Sequence, residues 1–299
     1  VDKLDEDINA LKIVDVRGED ASKQKSLDEI MSELDDFVGM KSVKEAIRNL
    51  AVQMVFMRKR IEQGLGSMDI IPLNIILTGN PGTGKTSVAR KMGEVFQTVG
   101  ILPTSKVIEV DRSQLVGQYL GETPKIVNRL CDRAMGGLLF IDEAYTLTES
   151  ADGGVDKYGK EAVDALIKRM EDDKGKFGVI AAGYKDQMVK FLSVNPGLSS
   201  RFTLRLNIED YNEIELLEIF KRLAQKKKYI LVPEAETKLL EMIMENCYHR
   251  NRRTFGNARE VRNLFEHAIQ RLSVRVSQIP VDEMTAECYQ LIMPEDIEG

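Results

Sequence analysis

Cysteine and histidine are scarce in this 299-residue chain, which contains three cysteines and two histidines. The cysteines Cys131, Cys247 and Cys288 lie far apart and include no CxxC pair, so we expect neither a disulfide framework nor a zinc site. His249 and His267 have no carboxylate or thiol neighbours at the spacing of metal ligands. The isolated thiols indicate a reducing compartment.

Long apolar stretches are also missing. No run of about 18 apolar residues is present, so the sequence predicts no transmembrane helix. The N-terminus lacks a basic segment followed by an apolar one, and we expect a cytoplasmic protein. The formal net charge of -6 disfavours a surface that binds duplex nucleic acid. With 43% hydrophobic and 30% charged residues, the composition is typical of a globular protein.

Short apolar runs alternate with helical patterns over the first two thirds of the chain. Each run has the length of a strand and is rich in Val, Ile or Leu. Because continuous apolar runs suit strands that are buried on both faces of a parallel sheet, we predict a three-layer α/β domain. The predicted strands cover residues 73–77, 106–110, 138–141 and 179–182.

Apolar residues at helical spacing predict the helices around this sheet. Two helices are expected before the first strand, over residues 27–34 and 43–61. A further helix is expected to begin at Thr123 and Pro124, with the threonine as the cap and the proline in the first helical position.

The strand signals fade after about residue 206, and three helical patterns follow. The last helix has Asn257 and Glu260 at the spacing of a capping box. We therefore predict a small all-helical domain after the α/β domain. Its helices are expected over residues 211–228, 234–247 and 257–276.

A glycine-rich segment lies between the first predicted strand and a helix that starts near Ser87. Residues 79–86 read GNPGTGKT and match the phosphate-binding pattern GxxxxGK[ST]. Glycines let backbone amides turn towards phosphate oxygens, and the helix N-terminus adds its partial positive charge. Lys85 would reach the β- and γ-phosphates of ATP, and the Thr86 hydroxyl would bind Mg²⁺. The residues expected to bind nucleotide in this phosphate loop are Asn80, Pro81, Gly82, Thr83, Gly84, Lys85, Thr86 and Ser87.

Two carboxylates follow the apolar run 138–141, at the end of a strand where open α/β sheets bind ligands. Asp142 would hold Mg²⁺, directly or through water. Glu143 would act as the general base that polarises the attacking water. Alone, an acidic strand end is a weak motif, but together with the phosphate loop it predicts an ATPase. A nucleotide-binding protein that never hydrolyses is the alternative, and the presence of Glu143 argues against it.

Several segments together resemble an AAA+ ATPase, and within that family the sequence resembles the CbbX/SpoVK-type branch of red-type rubisco activases and stage V sporulation ATPases. The resemblance covers about residues 33–275. It implies a P-loop AAA+ domain with a parallel sheet, followed by a small helical lid domain. The segments that carry it are the phosphate loop, FIDEA at 140–144, DFVGM at 36–40, LVGQYLGE at 115–122, AGYK at 182–185, NPGLSSRF at 195–202 and FGNAREVRN at 255–263.

The resemblance also implies domain boundaries and an assembly. Residues 1–32 would be a lead-in or linker, residues 33–206 the nucleotide-binding domain, and residues 207–299 the lid with a C-terminal tail. Six copies would form a ring with nucleotide between neighbouring subunits. Val38 and Gly39 match a segment that contacts adenine in such proteins.

Two arginines match functional positions of the family. Arg201 matches the arginine finger that reaches the γ-phosphate bound by the next subunit, and Arg259 matches the lid arginine that contacts phosphate in its own subunit. An ordinary surface arginine and a salt-bridge partner are the respective alternatives. Many AAA+ proteins place Asn, Thr or Ser after the fourth core strand to position water, whereas this sequence has Tyr184 there and Asn195 nearby. The choice between these two stays open.

Three functions compete at this stage: a remodeller that pulls a protein client into a ring pore, a DNA-processing motor, and a nucleotide-switched scaffold. The net acidity and the lack of an evident DNA-binding module weigh against the second. Tyr119 favours the first, because the resemblance puts its loop at the central pore. Gly117 and Gly121 bracket this tyrosine, which predicts a mobile loop. Packing of Tyr119 at a subunit seam is the alternative.

Overall fold

The computed structural model of the chain describes residues 13–14, 26–65, 73–119, 121–148, 156–249 and 256–297. The chain forms two compact units. The first, here called the sheet unit, comprises residues 1–37, 41–79 and 85–208. The second, here called the helical unit, comprises residues 38–40, 80–84 and 209–299. The middle of the phosphate loop therefore belongs to the helical unit.

A six-stranded sheet forms the centre of the sheet unit, with the order β1-β3-β4-β5-β2-β6. Strands β2 to β6 run parallel, and the two-residue β1 pairs antiparallel with β3. Every residue of β4 and β5 is buried, which confirms the predicted parallel sheet with two covered faces. The strands are β1 Ile13–Val14, β2 Ile75–Thr78, β3 Val107–Val110, β4 Leu138–Ile141, β5 Gly178–Gly183 and β6 Leu204–Asn207.

Strand β6 was missed by the sequence analysis. It lies at the edge of the sheet next to β2, and of its four residues only Leu206 is buried. Arg205 and Asn207 are exposed. An edge strand that alternates between polar and apolar residues has no continuous apolar run, so the criterion that found the central strands does not detect it.

Helices surround the sheet in the described part of the sheet unit. Helix α1 begins with a capping box, in which Ser26 Oγ accepts from the Glu29 amide and the Glu29 carboxylate accepts from the Ser26 amide. It crosses the predicted boundary between residues 32 and 33. The helices are α1 Leu27–Asp35, α2 Lys41–Glu62, α3 Lys85–Thr98, α4 Arg112–Leu115, α5 Thr123–Ala134, α6 Lys157–Asp172, α7 Lys185–Val194 and α8 Pro196–Arg201.

The start of α5 differs from the prediction. Thr123 is the first helical residue and Glu122 precedes it as the cap residue, so Pro124 takes the second position. The Thr123 side chain is fully buried, and its Oγ1 accepts a hydrogen bond from the Gly117 amide at 3.0 Å. Thr123 therefore holds the preceding loop and does not cap its own helix.

The helical unit has a core of its own, built on three helices. Phe220 and Phe265 meet edge to face in this core, with ring centroids 5.4 Å apart. Arg275 bonds to the buried Asp296 at 2.8 Å and so fastens the C-terminal segment to the helices. A two-stranded parallel ribbon, which the sequence did not predict, joins β7 Ile230–Leu231 to β8 Leu291–Ile292. The three helices are α9 Glu213–Lys226, α10 Pro233–His249 and α11 Ala258–Ser277.

The expected capping box of α11 is wrong. Asn257 precedes the helix but its side chain makes no capping bond, and its φ of 48° is left-handed. The side chain bonds elsewhere, to Asp210, to the Tyr211 amide and to the Pro81 carbonyl. Spacing alone identified a cap residue whose side chain is used for a tertiary contact.

No helix within the described ranges combines the length and the apolar character needed to cross a membrane.

Candidate functional site

The carboxyl ends of β2, β5 and β4 lie in register at one edge of the sheet. Thr78 pairs with Gly183, and the Gly79 amide donates to the Gly183 carbonyl at 3.2 Å. Ile141 pairs with Ala181, so Asp142 directly follows the aligned end of β4. Since neighbouring strands lie about 4.8 Å apart, two strand spacings, about 10 Å, separate the ends of β2 and β4. The start of the phosphate loop and the acidic pair therefore share this edge.

The phosphate loop has a backbone that requires glycine at two positions. Gly82 and Gly84 have φ values of 71° and 94°, in the left-handed region. Thr83 between them is fully buried, and its hydroxyl donates to the Asn80 carbonyl at 2.8 Å. Helix α3 begins directly after the loop, at Lys85. Successive amides before a helix N-terminus form the concave backbone arrangement that binds anions.

Lys85 lies at the sheet edge. Its Nζ donates to the Gly79 carbonyl at 2.9 Å and lies 5.9 Å from the centroid of the Tyr184 ring. The lysine side chain therefore folds back and contacts the start of the phosphate loop. Thr86 and Ser87 form the first turn of the same helix.

The acidic pair after β4 has an unusual backbone. Glu143 adopts a φ of 47°, and its amide donates to Asp142 Oδ1 at 3.0 Å. The Thr146 hydroxyl donates to the Glu143 carbonyl at 2.7 Å. A left-handed conformation in a residue other than glycine costs on the order of 1–3 kcal/mol, and such residues cluster at functional sites. The Glu143 side chain is exposed at this edge of the sheet.

The two candidates for the residue after the fourth core strand have different environments. Tyr184 immediately follows β5, and its ring packs 5.8 Å from that of Tyr145. Asn195 instead caps α8, because its Oδ1 accepts from the Gly197 amide at 2.8 Å and its Nδ2 donates to Asp164 at 3.2 Å. The Tyr184 ring therefore lies near Lys85, whereas the Asn195 side chain is used to cap α8 and to bond Asp164.

Arg201 is paired inside its own chain. Its Nη2 donates to Glu171 Oε2 at 2.8 Å, and its Nη1 donates to the Gly197 carbonyl at 3.2 Å. Its Nε is buried and has no hydrogen-bond partner among the described residues. Such a group is uncommon, since most buried polar atoms are bonded.

Three further residues that were predicted to contact nucleotide belong to the helical unit: Val38, Gly39 and Arg259. Arg259, in the first turn of α11, is exposed and makes no ion pair with any described residue. Val38 is half-buried, and Gly39 has a φ of 62°. The Glu215 carboxylate packs against Gly39 so closely that a Cβ there would lie 2.7 Å from Oε1. Gly39 therefore has both a conformational and a steric reason to be glycine.

Tyr119 lies in an open loop. Its side chain is 69% exposed, and nothing lies within 4 Å of where a Cβ on Gly121 would be. The amides of Gln118 and Tyr119 donate to Glu122 Oε2 at 3.2 and 3.1 Å, so one carboxylate holds these two residues of the loop. Leu120 lies outside the described residues.

Residues 75–210 match the family model described as "ATPase family associated with various cellular activities (AAA)", and residues 212–299 match that of the AAA lid domain. The chain belongs to the AAA family of ATPases. This AAA ATPase is 39% identical to stage V sporulation protein K of Bacillus subtilis, over 93% of this chain and 86% of that one. Its membership of the family confirms both the predicted fold and the predicted ATPase activity.

Further relatives confirm the resemblance to the CbbX/SpoVK-type branch. The AAA ATPase is 39% identical to the chloroplastic ribulose bisphosphate carboxylase/oxygenase activase of Cyanidioschyzon merolae, and the alignment covers 92% of each chain. It is 38% identical to CbbX of Cereibacter sphaeroides, over 90% of this chain and 85% of that one.

Solved structures show the same fold at lower identity. The FIGL-1 AAA domain in complex with ADP matches with a TM-score of 0.58 and 19% identity, over 91% of this chain and 90% of that one. A structure solved to explain katanin self-assembly matches with a TM-score of 0.60 and 18% identity, over 99% of this chain and 89% of that one.

The residues present fit ATP and Mg²⁺. The left-handed glycines at 82 and 84 give the loop the backbone of an anion-binding nest. Thr86 and Asp142 supply a hydroxyl and a carboxylate, the oxygen donors that Mg²⁺ prefers. Within the described ranges, no group of three or more His, Cys, Asp or Glu side chains could hold a metal. Mg²⁺ needs no such cage, since it keeps water ligands and binds substrate phosphates.

Three residues that touch the phosphate loop were missed by the sequence analysis. Asp210 accepts from the Asn80 side chain, Tyr211 donates to the Thr83 carbonyl, and Asn257 donates to the Pro81 carbonyl. The three hydrogen bonds span 130, 128 and 176 residues of sequence, respectively. The one available signal was Asn257, which stands before a helix at the spacing of a cap.

Proposed function

We propose that this AAA ATPase binds ATP on the phosphate loop and hydrolyses it with Glu143 as the general base, in a ring whose pore remodels a protein client. The observation that carries the proposal is the shared sheet edge. There the loop start, which Lys85 contacts, follows β2, while Asp142 and Glu143 follow β4, and the ends of both strands are aligned through β5. This is the edge at which open parallel sheets bind ligands.

The proposed reaction is transfer of the γ-phosphoryl group to water. Glu143 takes a proton from water as the water oxygen bonds to the γ-phosphorus, and the bond from phosphorus to the ADP oxygen breaks. The products are ADP and phosphate. Lys85 and the loop amides are proposed to stabilise the phosphate charge. Tyr184, whose ring centroid lies 5.9 Å from Lys85 Nζ, is proposed to donate a hydrogen bond at this site.

Thr86 and Asp142 are the proposed ligands of Mg²⁺. When bound there, Mg²⁺ would neutralise part of the charge that develops on the phosphate oxygens during transfer. Val38 and Gly39 are proposed to contact the adenine, and Arg259 to contact phosphate within its own subunit. The exposed guanidinium of Arg259 supports that role, because no ion pair with a described residue competes for it.

Arg201 is proposed to act in trans, at the γ-phosphate held by the neighbouring subunit of a hexamer. Its incomplete hydrogen bonding in the single chain supports this role. The buried Nε has no hydrogen-bond partner in the described part of the chain, and the bond to Glu171 reaches an exposed carboxylate that can be exchanged. Arginine fingers contribute about 10³–10⁵ in rate in phosphoryl-transfer enzymes.

Mixing two inactive variants tests this proposal. Arg201→Ala keeps Glu143, and Glu143→Gln keeps the finger, so a mixed ring contains interfaces with both groups intact. We expect each variant alone to be inactive and the mixture to release phosphate. The control is a mixture of Glu143→Gln with the double variant Arg201→Ala/Glu143→Gln, in which no interface is complete. If sedimentation shows mixed rings and the first mixture is as inactive as the control, Arg201 does not act in trans.

A further inference from the structure

Three side chains of the helical unit, those of Asp210, Tyr211 and Asn257, bind the middle of the phosphate loop. Asp210 and Tyr211 lie outside the sequence motifs described above. Asp210 accepts from Asn80 Nδ2 through both oxygens, at 3.0 and 2.8 Å. The Asp210 Oδ1 also accepts from Asn257 Nδ2 at 2.9 Å. One carboxylate thus holds two amide side chains, one from the loop and one from the start of α11.

Asn257 connects this carboxylate to the loop backbone. It is fully buried, its Nδ2 donates to the Pro81 carbonyl at 3.1 Å, and its Oδ1 accepts from the Tyr211 amide at 3.1 Å. Its left-handed φ of 48° costs free energy that a capping role would not require. The residue is held in this conformation with its side chain bonded to the loop.

Tyr211 provides a second donor to the loop. Its hydroxyl donates to the Thr83 carbonyl at 3.2 Å. Burial, and to a smaller extent the nearby Glu215 carboxylate, raises the pKa of Tyr211 to about 12. The phenol therefore keeps its proton and remains a donor throughout the physiological pH range.

The backbone of the helical unit also approaches the loop. The Ala258 amide donates to the Gly82 carbonyl at 3.2 Å. A Cβ on Gly82 would lie 2.0 Å from the Gly256 carbonyl oxygen, so only glycine fits there. Three successive loop carbonyls, those of Pro81, Gly82 and Thr83, are thus each bonded by a donor of the helical unit.

The geometry of the peptide bond gives these contacts a consequence for anion binding. The described residues contain no cis peptide bond, and in a trans peptide the C=O of one residue and the N–H of the next point in opposite directions. Donors that hold the carbonyls of residues 81, 82 and 83 therefore direct the amides of residues 82, 83 and 84 away from the helical-unit donors. Those amides are the ones that a phosphate-binding loop uses.

We infer that Asp210, Tyr211 and Asn257 are positioning residues that hold the phosphate-loop amides in their anion-binding orientation before nucleotide arrives. They act through the loop carbonyls and the Asn80 side chain and do not touch the nucleotide. This inference rests on the proposed nucleotide site at the phosphate loop. Without these contacts, a smaller fraction of the molecules would have the loop in the binding orientation. The apparent affinity for nucleotide would fall in proportion to that fraction.

Asp210→Asn tests the inference because positioning and charge predict opposite results. Removing a negative charge near an anion site should tighten nucleotide binding if only electrostatics matter. Removing a charged acceptor that serves two side chains should weaken it if Asp210 positions the loop. The matched control is Glu209→Gln, which makes the same charge change one residue earlier. Glu209 is exposed and forms no hydrogen bond with a described residue.

The measurement is titration of the full-length protein with N-methylanthraniloyl-ADP, together with ATP turnover. We expect Asp210→Asn to weaken ADP binding about ten-fold and Glu209→Gln not to weaken it. KM for ATP should rise with little change in kcat, since saturating nucleotide selects the binding orientation. If Asp210→Asn binds ADP as tightly as the wild type, or more tightly, the inference is wrong.

Tyr211→Phe keeps the test decisive if Asp210→Asn does not fold, as judged by circular dichroism. This change removes only the hydroxyl that donates to the Thr83 carbonyl, so ADP binding should weaken roughly five-fold. Unchanged ADP affinity would overturn the inference. Lys85→Ala distinguishes failure of the proposed nucleotide site from failure of the positioning role alone. If Lys85→Ala binds ADP as well as the wild type, the proposed nucleotide site fails and the inference fails with it. If Lys85→Ala loses binding while the positioning variants keep it, only the inference fails.

Discussion

The phosphate loop and the loop that carries Tyr119 are both glycine-rich, but they are held in different ways. Side-chain and backbone donors bond the carbonyls of the phosphate loop, and Thr83 in its middle is fully buried. Tyr119 is 69% exposed, and the hydrogen bonds of its loop come from the loop's own end: the Glu122 carboxylate bonds the amides of Gln118 and Tyr119, and the Thr123 hydroxyl bonds that of Gly117.

The difference matches what each loop is proposed to do. A loop that binds phosphate with backbone amides gains from a fixed conformation, because binding then costs less conformational entropy. A loop that grips clients of varied sequence gains from freedom, because the aromatic ring must adapt to each of them. The comparison therefore predicts opposite responses to the same kind of substitution in the two loops.

Alanine at a left-handed glycine should give the largest contrast. In Gly82→Ala the new Cβ would lie 2.0 Å from the Gly256 carbonyl oxygen, and the backbone must move. We expect ADP affinity to fall on the order of 100-fold, from steric displacement and an unfavourable φ together. The measurement is titration with a fluorescent ADP analogue.

Gly121→Ala is the matched substitution in the other loop. Its φ of 79° is equally unfavourable for alanine, but nothing lies within 4 Å of the new Cβ. We expect a cost of about 1 kcal/mol in local conformation and unchanged ADP affinity. Equal losses of affinity in the two variants would contradict the comparison.

Tyr119→Ala should separate client handling from hydrolysis. If the exposed ring grips a client in the pore, sedimentation and basal phosphate release should both stay close to wild type while remodelling is lost. Tyr119→Phe keeps the ring and serves as the control, which should retain remodelling. A joint loss of assembly and phosphate release in Tyr119→Ala would instead place the tyrosine at a subunit seam.

Glu122→Ala should have the smallest effect. The Glu122 carboxylate accepts from the amides of Gln118 and Tyr119, so its removal frees the loop backbone. Hydrogen exchange at these two amides should accelerate roughly five-fold, as expected from the loss of about 1 kcal/mol. Glu122→Gln keeps an acceptor and should show a smaller change. Unchanged exchange in Glu122→Ala would mean that other contacts hold the loop.

Local patterns in the sequence predicted the central strands and the phosphate loop, because both depend on neighbouring residues. Strand β4 has a continuous apolar run, and the phosphate loop follows a strand and precedes a helix. The edge strand β6 escaped, because its exposed face carries Arg205 and Asn207. The capping box at Asn257 was wrong, because spacing does not reveal a tertiary partner.

The contacts that hold the phosphate loop lay beyond this kind of reasoning. Asn257 bonds Pro81 across 176 residues, and Asp210 bonds Asn80 across 130 residues. No local pattern encodes such pairs, and a single sequence contains no information on which distant residues meet. The pairing of Arg201 with Glu171 was likewise not predictable, since it depends on how α8 packs near the end of α6.

The central claim is that Glu143 activates the water that attacks ATP bound on the phosphate loop. Glu143→Gln tests it most directly, because glutamine keeps the shape of the side chain and cannot accept the proton at neutral pH. Binding of a fluorescent ADP analogue and steady-state phosphate release should be measured on the same purified protein. We expect unchanged nucleotide affinity and phosphate release reduced about 10²–10⁴-fold. Phosphate release at the wild-type rate would contradict it.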